Sequence, residues 1–132
     1  MKKITLIISF ILFTISISAQ NRDGSIFYSD VERTETEYKI NVDLYEVGKV
    51  NFIKVELVDE DKNELASEIA ELKLKSDGKY YLNFKDTETR VYPENINLTL
   101  INEYNTIKYP QINIKLMDKL LRVIDYSQTV FY

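Results

Sequence analysis

From Glu37 onward the apolar residues of this chain recur at every second position. Tyr38, Ile40, Val42 and Leu44 alternate with Lys39, Asn41, Asp43 and Tyr45, and Ile53, Val55 and Leu57 alternate with Lys54 and Glu56. The same spacing returns in Leu72 and Leu74, in Tyr80, Leu82 and Phe84, in Ile96, Leu98 and Leu100, and in Ile112, Ile114 and Leu116. Successive side chains of a strand point to opposite faces, so period two puts one row in a core and the other in water. With an opening strand near Ile26 to Val31 there are seven such runs, separated by turn signals. "SDGK" at 76–79 supplies a glycine for positive φ, and "YPEN" at 92–95 and "NEYN" at 102–105 are further turn candidates. Short strands at this regular spacing are expected to form an all-β, antiparallel sandwich of about seven strands.

Two stretches depart from the alternation. "NELASEIAELKL", residues 63–74, is rich in helix formers and spaces Leu65, Ile69 and Leu72 almost helically, so a helical turn is expected there. In "MDKLLRVIDYSQTVFY", residues 117–132, the positions of Leu116, Leu120 and Ile124 suggest a short helix over 117–125 before a terminal strand "TVFY".

The N-terminal segment "MKKITLIISFILFTISISAQ" joins two lysines, an apolar run and a small residue, Ala19. That is the anatomy of a secretory signal peptide over residues 1–19, and its apolar run is shorter than the roughly 20 residues a spanning helix needs. It resembles the signal peptides of Gram-negative bacteria, which implies a protein of the periplasm or the cell exterior. "QNRDGS", residues 20–25, then reads as a frayed leader, and residues 26–132 as one β-sandwich domain with no membrane span.

Composition removes several function classes. Without the signal segment, 15 Lys and Arg face 21 Asp and Glu, a net charge of −6, and no basic cluster is present. Such a chain is poorly suited to nucleic acid or to anionic lipid. It has no histidine and no cysteine. The usual general base, transition-metal ligand and thiol nucleophile are therefore missing, and a bacterial lipid anchor on cysteine with them. Neither a glycine-rich phosphate loop nor a serine nucleophile motif occurs.

The strand rows in "INVDLYEVGKVNFIKVELVDEDKNEL", "SDGKYYLNF" and "INLTLINEYNTIKYPQINIKL" resemble immunoglobulin-like or fibronectin type III-like domains of exported bacterial proteins. The likeness covers most of residues 38–116 and lacks the paired cysteines and core tryptophan of antibody domains. It implies an immunoglobulin-like sandwich, a fold that serves adhesion, carbohydrate binding, chaperoning and spacing alike.

Three groups of residues are candidates for function. Asp59, Asp61 and Asn63 stand at every second position in "DEDKN", as a calcium loop begins, although Glu64 and Ala70 occupy the places of the required glycine and bidentate carboxylate. The competing reading is a charged turn between two strands. All ten tyrosines lie beyond the signal segment. Tyr45 and Tyr81 fall on outer faces, with Tyr92, Tyr104 and Tyr109 in or beside loops, where flat rings with a polar tip suit contact surfaces. Val130, Phe131 and Tyr132 end the chain as a strand edge open to pairing with a partner.

The leading expectation is an exported, non-enzymatic binding or assembly module for another exported or cell-surface protein, with no cofactor. The second is a calcium-stabilised carbohydrate-binding module that uses Asp59, Asp61 and Asn63 for Ca2+ and its tyrosines for a glycan. The third is a small hydrolase using carboxylates such as Asp43, Glu46, Glu56 and Asp59.

Overall fold

The computed structural model describes residues 26–103 and 107–132. Residues 1–19, expected to be a signal peptide, residues 20–25, expected to be a leader, and Tyr104 of the "NEYN" turn lie outside the described residues. The rest is all-β, with nine strands and one 3-10 turn, Val47–Lys49, between the second and third of them. The strands are β1 (Phe27–Arg33), β2 (Glu37–Leu44), β3 (Phe52–Val58), β4 (Glu64–Leu74), β5 (Tyr80–Phe84), β6 (Thr87–Val91), β7 (Ile96–Ile101), β8 (Gln111–Met117) and β9 (Val123–Val130).

Two antiparallel sheets face each other, one of six strands in the order β9-β8-β3-β4-β5-β6 and one of three in the order β1-β2-β7. The chain crosses between them from β2 to β3, from β6 to β7 and from β7 to β8. The registers bring the apolar rows opposite one another. Ile40 lies beside Leu98 in the smaller sheet, and Val55 beside Ile114 in the larger. Those rows make one core: Tyr38, Ile40, Val42, Leu98 and Leu100 from one side meet Ile53, Val55, Leu57, Ile112, Ile114 and Leu116 from the other. Each fully buried aliphatic side chain contributes about 1.5–3 kcal/mol, so this double row is the main source of stability.

Three expectations need correction. Residues 63–74 form no helix: residues 64–74 are one strand, paired with β3 and β5. A register shift between Leu57 and Val58 leaves Leu65 without a direct partner, which breaks the alternation and mimics helical spacing. Backbone pairing on both sides outweighs the weak helix preference of the residues. Residues 117–125 are likewise not helical, but a tight turn followed by β9. The terminal strand runs from Val123 to Val130, so Phe131 and Tyr132 follow it instead of ending it. The larger sheet also holds one strand that the alternation missed, β6, and most of β9 precedes the expected "TVFY".

β9 escapes a reading by hydrophobicity because its polarity is inverted. Its buried row is Asp125, Ser127 and Thr129, while Ile124 and Tyr126 are exposed. Asp125 and Ser127 find partners across the sandwich. The Ile26 N–H donates to Asp125 Oδ2 at 2.9 Å, and the hydroxyls of Ser29 and Ser127 are hydrogen-bonded at 2.8 Å. Buried polar atoms with partners carry little penalty, so the seam holds β1 against β9 without apolar packing.

Tyr38 is the counter-example. Its ring is fully buried against Phe131, with centroids 5.7 Å apart, yet its hydroxyl has no hydrogen-bond partner among the described residues. Burial raises the hydroxyl's pKa. An unsatisfied buried hydroxyl costs about 1–3 kcal/mol. Tyr38→Phe is therefore expected to stabilise the fold by about 1 kcal/mol, raising the melting temperature by a few degrees. A fall in melting temperature would mean that the hydroxyl is hydrogen-bonded in solution.

Candidate functional site

Three hairpins close with the same five-residue turn, at 59–63, 75–79 and 118–122. In each, the first residue donates its N–H to the carbonyl of the fifth (3.0 Å in all three) and accepts from the N–H of the fourth (2.9–3.0 Å). The fourth residue lies in the left-handed region, with φ of 69° at Lys62, 80° at Gly78 and 63° at Leu121. This geometry is a turn closed by a one-residue bulge, and its left-handed position is the natural place for glycine. Only Gly78 meets that preference. A side chain there costs roughly 1–2 kcal/mol, and at Leu121 the side chain is also apolar and 52% exposed. The Leu121 side chain itself is not buried in the core in return for this strain.

The aspartates in these turns act as caps. Asp59 Oδ1 accepts the N–H groups of Asp61 and Asn63, both at 2.9 Å, and Oδ2 accepts from the Asn63 side-chain amide at 3.2 Å. The spacing of Asp59, Asp61 and Asn63 is thus the spacing of a self-capped turn, with both Asp59 oxygens engaged by their own loop. No group of three or more metal-binding side chains gathers among the described residues. Asp118 repeats the device, accepting from the Leu120 and Arg122 N–H groups at 2.9 and 3.0 Å and from Arg122 Nε at 2.8 Å. Hydrogen bonds from the N–H of the fifth residue, Asn63 or Arg122, are the largest influence lowering the pKa of Asp59 and of Asp118.

The strand ends sort the surface into two unlike poles. Segments 45–51, 75–79, 92–95 and 118–122 share one end, joined by bonds from Leu44 N–H to Pro93 O, Asn51 N–H to Met117 O and Leu72 N–H to Asn51 O, each 2.8–2.9 Å. Six large apolar side chains stand exposed at this pole: Tyr45, Leu74, Tyr92, Leu120, Leu121 and Val123. Its four segments carry five basic and four acidic side chains, a net +1. The opposite pole holds the turns at 34–36 and 59–63 and the described residues of the link from β7 to β8. There, five acidic side chains face two basic ones, a net −3.

The sequence-derived candidates divide between the poles. Tyr45 is at the apolar pole, 64% exposed. Tyr81 is there too, but its hydroxyl donates to Asp77 Oδ2 at 2.7 Å and the Lys75 ammonium sits 4.4 Å from its ring centre. Much of its contact capacity is therefore spent within the turn. Val130, Phe131 and Tyr132 are at the acidic pole. Phe131 is tied inward by its N–H to Pro110 O and its packing on Tyr38, whereas Tyr132 is exposed and pairs with Tyr109 at 5.8 Å. Among the described strands, β9 is one of the two edges of the larger sheet, β6 the other.

The four carboxylates considered for hydrolysis are not brought together. Asp43 and Glu46 lie at and beyond the end of β2, Glu46 paired with Lys49 at 2.7 Å. Glu56 is on the outer face of β3, and Asp59 is at the acidic pole. Glu56 is 6% exposed between Lys54 (3.2 Å) and Lys115 (3.1 Å). Burial pushes its pKa up, but the hydrogen bonds from Lys115 and Lys54 outweigh it and leave the value lowered. That is the reverse of what a catalytic acid requires. Two hollows among the described residues lie elsewhere: a 660 Å³ notch where β4 outruns the hairpin of β5 and β6, beside Ile69 and Lys85, and a 350 Å³ saucer over Asp30, Lys39 and Asn97.

Comparison with protein families, with characterised proteins and with solved structures found no match. The site that sequence reasoning missed is the leucine tip at 118–122. Its signal was "DKLLR", an aspartate followed by four residues that close a turn.

Leu121→Gly is expected to raise the unfolding free energy by about 1 kcal/mol, and Gly78→Leu to lower it by a similar amount; denaturant titration reads both. The depressed carboxylates give a second expectation. Their folded values lie below the ordinary 3.8, so their contribution is complete above that value and lost as pH falls through it to the folded pKa. Asp118→Asn should therefore reduce the loss of melting temperature between pH 5 and pH 2, about the range in which these groups titrate.

Proposed function

We propose that this chain is an exported, non-enzymatic binding or assembly module built on an immunoglobulin-like sandwich, and that it docks through its apolar pole. Export rests on the N-terminal pattern of residues 1–19. The immunoglobulin-like reading is supported by strand order. Strands 1, 2 and 7 stand in the A-B-E arrangement, and 9, 8, 3 and 4 in the G-F-C-C′ arrangement of such domains, while β5 and β6 extend the larger sheet.

The observation that carries the binding reading is the tip at 118–122. Leu120 and Leu121 are 64% and 52% exposed, Leu121 in a backbone conformation that disfavours it. Exposed apolar side chains gathered at one end of a fold are a feature of interaction surfaces, and a leucine held in the left-handed region with its side chain in solvent points the same way. Tyr45 and Tyr92 enlarge the surface with rigid rings, Tyr92 backed by the Arg90 guanidinium 4.8 Å away. Loops at the end of a sandwich are a common place for such a surface.

A photo-crosslinking side chain placed at position 120 in the exporting cell is expected to form defined protein adducts. The same group at Lys39, exposed on the outer face of the three-stranded sheet, should form none. Adducts at both positions alike, or at neither, would contradict the reading.

A further inference from the structure

The two poles are opposite in charge and both expose apolar rings or side chains. At the apolar pole, Leu120 and Leu121 project from a hairpin tip with Lys119 beside them, and Lys79 lies in the turn at 75–79 of the same pole. Among the described residues the other cations there are paired: Lys49 with Glu46, Lys75 with Glu88 and Arg122 with Asp118. Lys79 and Lys119 have no such ion pair. At the acidic pole the exposed rings of Tyr109 and Tyr132 stand together, centroids 5.8 Å apart. The turn with Asp59, Glu60 and Asp61 adjoins them, since the Lys62 ammonium donates to Gln111 Oε1 at 2.9 Å at the start of β8. Asp59 is committed to its own turn, while Glu60 and Asp61 make no ion pair among the described residues.

Resting on the docking role proposed for the apolar pole, we infer that its occupant is the acidic pole of a second copy of this chain. The leucine tip of one copy seats on the Tyr109 and Tyr132 pad of the next, with Lys119 and Lys79 facing Glu60 and Asp61. Charge selects this arrangement. A chain with an excess of carboxylates repels its own copies in most orientations, whereas contact between the +1 pole and the −3 pole brings opposite charges together. The contact is heterologous, joining two different surfaces, so it does not close on itself in a pair and each added copy leaves one pole of each kind free. A surface of a few side chains per copy is small, which makes each contact weak and the assembly concentration-dependent.

Complementation between variants tests the inference with the protein obtained by expressing the full chain. Sedimentation velocity from about 10 μM to 1 mM, a range suited to weak contacts, should give species larger than a monomer. Association should weaken by roughly tenfold in 0.5 M salt. A tip variant, Lys119→Glu with Leu120→Ser and Leu121→Gly, and a pad variant, Glu60→Lys with Asp61→Lys and Tyr132→Ser, should each stay monomeric alone. Mixed, they should form one-to-one complexes, because the intact pad of the first meets the intact tip of the second. All six positions are exposed, and a cooperative unfolding transition no lower than that of the native chain confirms that each variant is folded. The charge swap Lys119→Glu with Asp61→Lys in one chain, which should restore association lost in Lys119→Glu alone, gives a second check. A native chain that stays monomeric at all concentrations, a pad variant that still self-associates, or variants that fail to complement would each overturn the end-to-end contact. Adducts to a different protein at position 120 alongside a monomeric chain would overturn it while upholding the docking role.

Discussion

The fold depends on the facing of two apolar rows. β2 and β7 on one side, and β3 and β8 on the other, each devote one face to Val, Ile, Leu or Tyr, and their registers align those faces across the sandwich. Once these four strands are set, the crossings between sheets and the positions of the connecting loops follow. The polar seam between β1 and β9 has a different character. Its hydrogen bonds are directional, so it fixes how the sheet margins meet without adding much apolar burial.

The core also determines where the connecting loops collect. A sandwich this thin has two ends where loops collect, and this chain equips them differently. One repeated turn appears at both, capped by aspartate where it holds Lys62 and Leu121, and relaxed by glycine where it holds Gly78. The same local solution therefore carries charge at one pole and leucine at the other. Difference in side chains on a shared backbone is what separates the acidic pole from the apolar one.

Much of this was legible in the sequence, for a physical reason. Where a strand has one dry face and one wet face, alternation reports it directly, and the runs from Tyr38 to Leu44 and from Ile112 to Leu116 lie where their pattern puts them. Legibility failed where another interaction replaced that contrast. In β4 a bulge at Leu65 shifts the phase of the pattern, and in β9 the inward residues are polar, with Asp125 and Ser127 hydrogen-bonded. Leu120 and Ile124 looked like the dry face of a helix because apolar side chains normally seek a core, and here both face solvent. Tyr45 was found because it is exposed just past a strand with clear alternation. Leu121 was not, since its meaning rests on a φ angle that no spacing reveals.

The central claim is that the apolar pole is bare on the isolated chain and covered when the protein works. Side-chain footprinting with a small reactive probe addresses it directly, comparing the dilute purified protein with the same protein in the cells that produce it. The account predicts heavy labelling of Leu120, Leu121, Tyr45 and Tyr92 in dilute solution and strong protection of all four in the cell, with Tyr28, on the outer face of β1, labelled alike in both. Equal labelling of the four residues in the two settings would mean that nothing covers the pole and would contradict the account.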